Sequence, residues 1–139
     1  MMYDKVLEFR QKMGLPVAEK PGLLAPEDAS YFARFIMEEL SEFLKAHEEQ
    51  NLIDCADALT DLVYVTLGCA HAMGLPFEGI FGVVHECNMA KVPASEARRS
   101  ARGKTYDVIK PDGWQPPEPL IEVHILEARW RAQQKANGV

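Results

Sequence analysis

The chain has 139 residues, about the length of one domain, and sets 15 Lys and Arg against 21 Asp and Glu for a net charge of −6. Hydrophobic residues make up 47% and charged residues 26%, a balance that excludes a disordered chain, a collagen-like chain and a coiled-coil rod. The acidic surplus argues against sequence-independent binding to a nucleic-acid polymer, which needs a basic face to displace phosphate counterions. Free nucleotides stay admissible, because metal ions can carry the missing positive charge.

Residues 3–13 read as a short helix, with Val6, Leu7, Phe9 and Met13 apolar among charges, ended by Gly14-Leu15-Pro16. A loop punctuated by Pro21-Gly22 leads to Pro26, which suits the first turn of a second helix over about 27–49; Glu27 and Asp28 favour its positive end. Phe32, Ile36, Leu40 and Phe43 recur there at three- or four-residue steps. A third helix is predicted over 52–73, stopped by Gly74-Leu75-Pro76, and a fourth over 77–91, stopped by Val92-Pro93. From 93 to 117 the periodicity fails. This basic stretch reads as an ordered loop or short hairpin, and residues 118–136 read as a C-terminal helix. Helices with short connections and no convincing strand predict a single all-α domain over 1–139, a bundle of four or five helices.

Cys55, Cys69 and Cys87 show neither CxxC nor zinc-finger spacing and sit in apolar surroundings, so buried free thiols in a reducing compartment are expected. The opening Met-Met-Tyr-Asp-Lys has no basic region leading into an apolar stretch, and the most apolar window, Leu62–Met73, is too short to span a bilayer. A cytoplasmic protein with no membrane partner is expected.

Two helices carry acids where packing alone would not place them. In the second, Glu38, Glu39 and Glu42 form E-E-x-x-E and cover an arc of about 100°. In the third, Asp54, Asp57 and Asp61 fall within about 60° and share that face with Tyr64, Val65 and Gly68. The third helix is apolar nearly all round and is expected to be central and buried. Aspartates on such a helix repel one another and lose hydration unless protons or cations neutralise them. The plainer reading is a solvated acidic face. An antiparallel packing across a turn near Glu49-Gln50-Asn51 would set the two clusters opposite each other.

All these donors are oxygens, and no E-x-x-H pair of the di-iron type occurs anywhere in the chain. Zinc would want His or Cys. The hard cations Mg²⁺ or Mn²⁺ remain, and carboxylate-held Mg²⁺ commonly completes its shell with water and substrate phosphates. A second group lies downstream. Asn88 and Lys91 share one helical face, where Lys91 either contacts a phosphate or merely complements the helix dipole. Lys104 and Lys110 flank Tyr106, and the segment from Lys110 through Trp114 to Pro117 reads either as a lid on a ligand or as packing against the bundle.

These residues together resemble the all-α nucleoside triphosphate pyrophosphohydrolases, the MazG-like enzymes and the group related to dimeric dUTPases. Their pattern is E-x-x-E followed, after a spacer, by E-x-x-D. Glu39-Leu-Ser-Glu42 matches the first half and Asp54-Cys-Ala-Asp57 the second, with Asp54 where the family usually has Glu. The segment from Asp57 through Asp61 and Tyr64 looks like the family's central helix, and His85–Lys91 with Lys110, Trp114 and Pro116-Pro117 looks like a MazG-like subgroup. The resemblance implies Mg²⁺-dependent hydrolysis of a nucleoside triphosphate to monophosphate and pyrophosphate, by a homodimer or homotetramer that clears non-canonical nucleotides. Glu39, Glu42, Asp54 and Asp57 would hold metal. Glu38 or Glu39 would orient or deprotonate the attacking water. Asn88, Lys91, Lys104, Lys110 and Trp114 would face the nucleotide, with Asp61 and Tyr64 as further candidates. The alternatives are a biosynthetic enzyme like phosphoribosyl-ATP pyrophosphohydrolase, a non-catalytic helical interaction module, and a ferritin-like metal carrier, the last disfavoured by the missing E-x-x-H.

Overall fold

The structure, a computed structural model, describes residues 1–104 and 107–138. Tyr106 lies outside the described residues. Five helices form an all-α bundle: α1 (Met2–Lys12), α2 (Pro26–Glu48), α3 (Leu52–Ala72), α4 (Phe77–Met89) and α5 (Glu118–Ala136). The only paired strands among the described residues are β1 (Val92–Pro93) and β2 (Val108–Ile109), antiparallel, with Val92 opposite Ile109. No single helix is long and apolar enough to cross a membrane.

The residues group into two compact units, one of Met1–Phe77 with the chain from Ala128 onward, the other of Glu78–Glu127. The first is built on the α2–α3 hairpin. Pro26 opens α2 at its first turn, with Glu27 and Asp28 at the positive end of the dipole. Residues 49–51 reverse the chain, with Gln50 at φ 54°. Asn51 then caps α3: its side-chain oxygen accepts from the backbone N–H of Ile53 and Asp54, both at 3.2 Å. Buried small residues, Ala46 on α2 and Ala58, Gly68 and Ala70 on α3, allow close helix approach. Phe32 and Val65 fill the interior of this unit, and α1 contributes Val6, 2% exposed.

The α3 helix is not the all-round buried helix its composition suggests. Leu52 is 81% and Ile53 80% exposed, and Leu59 and Val63 are exposed as well. Burial is confined to its C-terminal half and to Ala58, because α1 and α2 cover only part of its surface. The cysteines are free but half-buried rather than buried.

The α3 terminus is fixed by His71. Its ring is 5% exposed and stacks on Tyr3 at 3.6 Å, its Nε2 lies 2.9 Å from the Tyr3 carbonyl, and the Tyr3 hydroxyl donates to the Leu75 carbonyl at 2.7 Å. Gly74 follows at φ 65°, and the Leu75 N–H returns to the Ala70 carbonyl, the left-handed helix ending that glycine favours. A Cβ on Gly74 would stand 2.6 Å from the Lys20 carbonyl oxygen. At the far end of the chain, Arg129 Nε donates to the Pro21 carbonyl at 3.1 Å.

In the second unit the strand pair is extended by Ala94 N–H donating to the Asp107 carbonyl at 2.8 Å. Arg102 pairs with Asp107 and holds its carboxyl down to about 2. Arg99 pairs with Glu96, and Arg98 with Asp112. Much of the basic charge in this stretch is therefore spent on local acids.

Gly74→Ala should destabilise the protein by about 1–3 kcal/mol, because both the positive φ and the approach of Lys20 forbid a side chain. The urea midpoint checks this.

Candidate functional site

The first unit carries the acids. Glu39 is 7% exposed, whereas Glu38, Glu42, Asp54, Asp57 and Asp61 are exposed. The expectation that the aspartates are buried with α3 therefore fails, and the cost of burying charge falls on Glu39. Its Oε2 is buried with no hydrogen-bond partner among the described residues. Burial raises its carboxyl above the usual range, and the charges of Glu42, Asp61, Glu38 and Asp57 raise it further. The α2–α3 hairpin thus brings acids of both helices to bear on one buried carboxylate. Among the described residues no ion pair neutralises any of them.

Asp54 stands differently. Asn51 Nδ2 donates to its Oδ2 at 2.7 Å, and Asp54 is not among the charges that act on Glu39. It completes the cap of α3. Among the described residues no group of three or more His, Cys, Asp or Glu side chains is gathered closely enough to hold a metal ion. The donor chemistry nevertheless suits a hard cation: it is all oxygen, it is unpaired, and one buried oxygen has nothing to bind.

Beside the acids lies a cavity of about 630 Å³. Glu39, Asp61 and Tyr64 line it, together with the aromatic rings of Phe9, Tyr31, Phe32 and Phe35. Phe9 meets Tyr64 edge-on at 5.5 Å, and Tyr31 meets Phe32 at 5.4 Å. Arg10 also lines this cavity and is 7% exposed. Reasoning from sequence passes over Arg10. The available signal is its position four residues after Val6, on the stripe of α1 that turns inward.

The second unit gathers Asn88, Lys91, Lys110 and Trp114. Lys91 Nζ donates to Asn88 Oδ1 at 2.7 Å. Trp114 Nε1 donates to the Cys87 carbonyl at 2.7 Å, which ties the loop to the last turn of α4. Lys110 Nζ lies 4.3 Å and Lys91 Nζ 5.7 Å from the centre of the Trp114 ring. Lys104 is on the loop between the strands, where its backbone N–H donates to Ser100 Oγ at 3.3 Å.

Glu39→Gln should stabilise the metal-free protein at pH 7. A carboxyl raised in the folded state binds its proton more tightly there than in the unfolded chain, so its ionisation costs stability as pH rises past the ordinary value of 4.5. The advantage of the variant should vanish below that value. Thermal melts at pH 7 and pH 4 in chelator check both statements.

The chain matches the family model described as phosphoribosyl-ATP pyrophosphohydrolase over residues 6–88, more than half of its length. That span takes in α1 from Val6 onward, the whole α2–α3 hairpin and nearly all of α4. No curated protein matches the chain. The acids on facing helices and this match lead to one assignment: the chain belongs to the phosphoribosyl-ATP pyrophosphohydrolase family, a hydrolase acting on phosphoric anhydrides.

Proposed function

We propose that the protein is a Mg²⁺-dependent, MazG-like pyrophosphohydrolase that splits the anhydride between the α and β phosphates of a nucleotide substrate, leaving the monophosphate and pyrophosphate. The observation that carries this reading is the buried Glu39 oxygen without a partner, surrounded by the charges of Glu38, Glu42, Asp57 and Asp61. The family match favours phosphoribosyl-ATP over a free nucleoside triphosphate. Both offer the same anhydride to the same acids. The cytoplasm, where nucleotides are held, is the location that goes with this reading.

Glu39, Glu42, Asp57 and Asp61 are the residues that would hold the cation, Mg²⁺ or Mn²⁺. Asp54 would add a ligand only by giving up its bond to Asn51. The chemistry such a cation would supply there is positive charge to offset what develops on the phosphates as the anhydride breaks. Glu38, exposed beside the buried Glu39, would orient or deprotonate the attacking water. Lys91 and Lys110 would offset phosphate charge, Asn88 would bond a sugar or base, and Trp114 holds the two lysines to the end of α4. Lys104 would reach the substrate from the loop between the strands.

A homodimer or homotetramer belongs to the same reading. Met37, Leu40 and Leu44 on α2 and Leu52, Ile53, Leu59 and Val63 on α3 are all exposed, an apolar surface unlike that of a free-standing helix pair. A second copy of the chain covering it would also change the water around the neighbouring acids.

Pyrophosphate release should therefore appear with Mg²⁺ and vanish in chelator, in a screen over phosphoribosyl-ATP and the nucleoside triphosphates. Glu42→Ala and Asp57→Ala should each lower turnover by about 100-fold or more. Wild-type rates in either variant would remove these acids from the site. Light scattering should give a mass of two or four chains, and Ile53→Glu should shift it toward one.

A further inference from the structure

We infer that the aromatic cavity of the first unit holds the heteroaromatic base of the nucleotide, with Arg10 Nη1 donating a hydrogen bond to an acceptor on the base edge. This deepens the pyrophosphohydrolase reading and rests on it for the nucleotide identity of the ligand. The argument starts from Arg10 itself. Its guanidinium carries five N–H groups and is always charged. Nε and Nη2 both donate to the single carbonyl of Pro16, at 3.1 and 2.5 Å. Nη1 has no hydrogen-bond partner among the described residues, and no carboxylate there forms an ion pair with Arg10. The side chain is 93% removed from solvent and lies 5.8 Å from the centre of the Phe32 ring, yet it has no carboxylate partner among the described residues, and Nη1 is not among the buried polar atoms, so it stays open to an incoming acceptor.

The idle nitrogen has been given room. A Cβ at Gly68 would stand 3.2 Å from Nη1, so the glycine leaves the space in which the guanidinium lies. Glycine is a poor residue inside a helix, and α3 carries it at its buried face. Gly68 and Arg10 both line the cavity. Its volume of about 630 Å³ is that of a small-molecule site, and its rings suit a planar ligand. Glu39 and Asp61 line the same cavity, so a base held there would keep its phosphates near the acids. An apolar ligand would fill the walls but shut Nη1 off from water, whereas a ring nitrogen or carbonyl would replace that water as acceptor.

Calorimetric titration of nucleosides into the full chain without metal tests this apart from catalysis. Adenosine, inosine and uridine are compared with ribose and with a riboside whose base is a phenyl ring. Wild-type protein should bind at least one nucleoside, and should bind the phenyl riboside about tenfold more weakly and ribose not at all. Arg10→Met should weaken nucleoside binding about tenfold, raise KM for the nucleotide by a similar factor, and change kcat less than twofold. If Arg10→Met does not fold, Gly68→Ala, which pushes on Nη1, should give the same loss. Equal affinity for nucleoside and phenyl riboside, or unchanged binding in a folded Arg10 or Gly68 variant, would overturn the inference. Nucleoside binding without pyrophosphate release would support it and end the enzymatic reading; pyrophosphate release without nucleoside binding would do the reverse.

Discussion

The mutual repulsion of carboxylates on the α2–α3 hairpin is the constraint on which the site depends. A three-residue turn makes the hairpin, and the hairpin sets Glu38, Glu39 and Glu42 against Asp57 and Asp61. The repulsion is tolerable for the exposed acids, which water screens. It is concentrated on Glu39, which is buried and whose Oε2 has no donor to bind. Positive charge supplied from outside the chain would relieve that strain, and a polyphosphate is a ligand that brings cations with it. Under the proposed function, electrostatic cost and enzymatic use are two aspects of one arrangement.

Most of the fold is legible in the sequence because its breaks are chemically loud. Gly14-Leu15-Pro16, Pro26, Gly74-Leu75-Pro76 and Val92-Pro93 bound the helices to within one or two residues. The strand pair is legible only as the short-hairpin alternative for the stretch from 93 to 117, because two residues per strand carry no period. The Asn51 cap escapes because its partner Asp54 also fits a ligand motif, and sequence alone cannot tell a capping bond from a free carboxylate. The expected burial of α3 fails for another reason. Periodicity reports how much apolar surface a helix has, not whether this chain alone covers it, and Leu52 and Ile53 stay in water.

The site shows the same division. The acids of both helices are readable as motifs, because like charges at helical spacing are conspicuous. Arg10 is not, because a single arginine among α1 charges looks like a solvated side chain until the fold shows it inside, over the gap left by Gly68. His71 is similar: it breaks an apolar run in the sequence, yet it is buried against Tyr3. The family match covers the helices that carry the acids.

The Tyr3–His71 stack has a mechanical corollary. Phe9 and Arg10 ride on α1, the same helix that Tyr3 fastens to the end of α3. Two of the side chains facing the cavity are therefore hung from a clasp several turns of chain away from the acids. Phe9 and Arg10 thus rest on α1 and the acids on α2 and α3, so loosening the clasp would disturb those two wall side chains before it disturbed the charges.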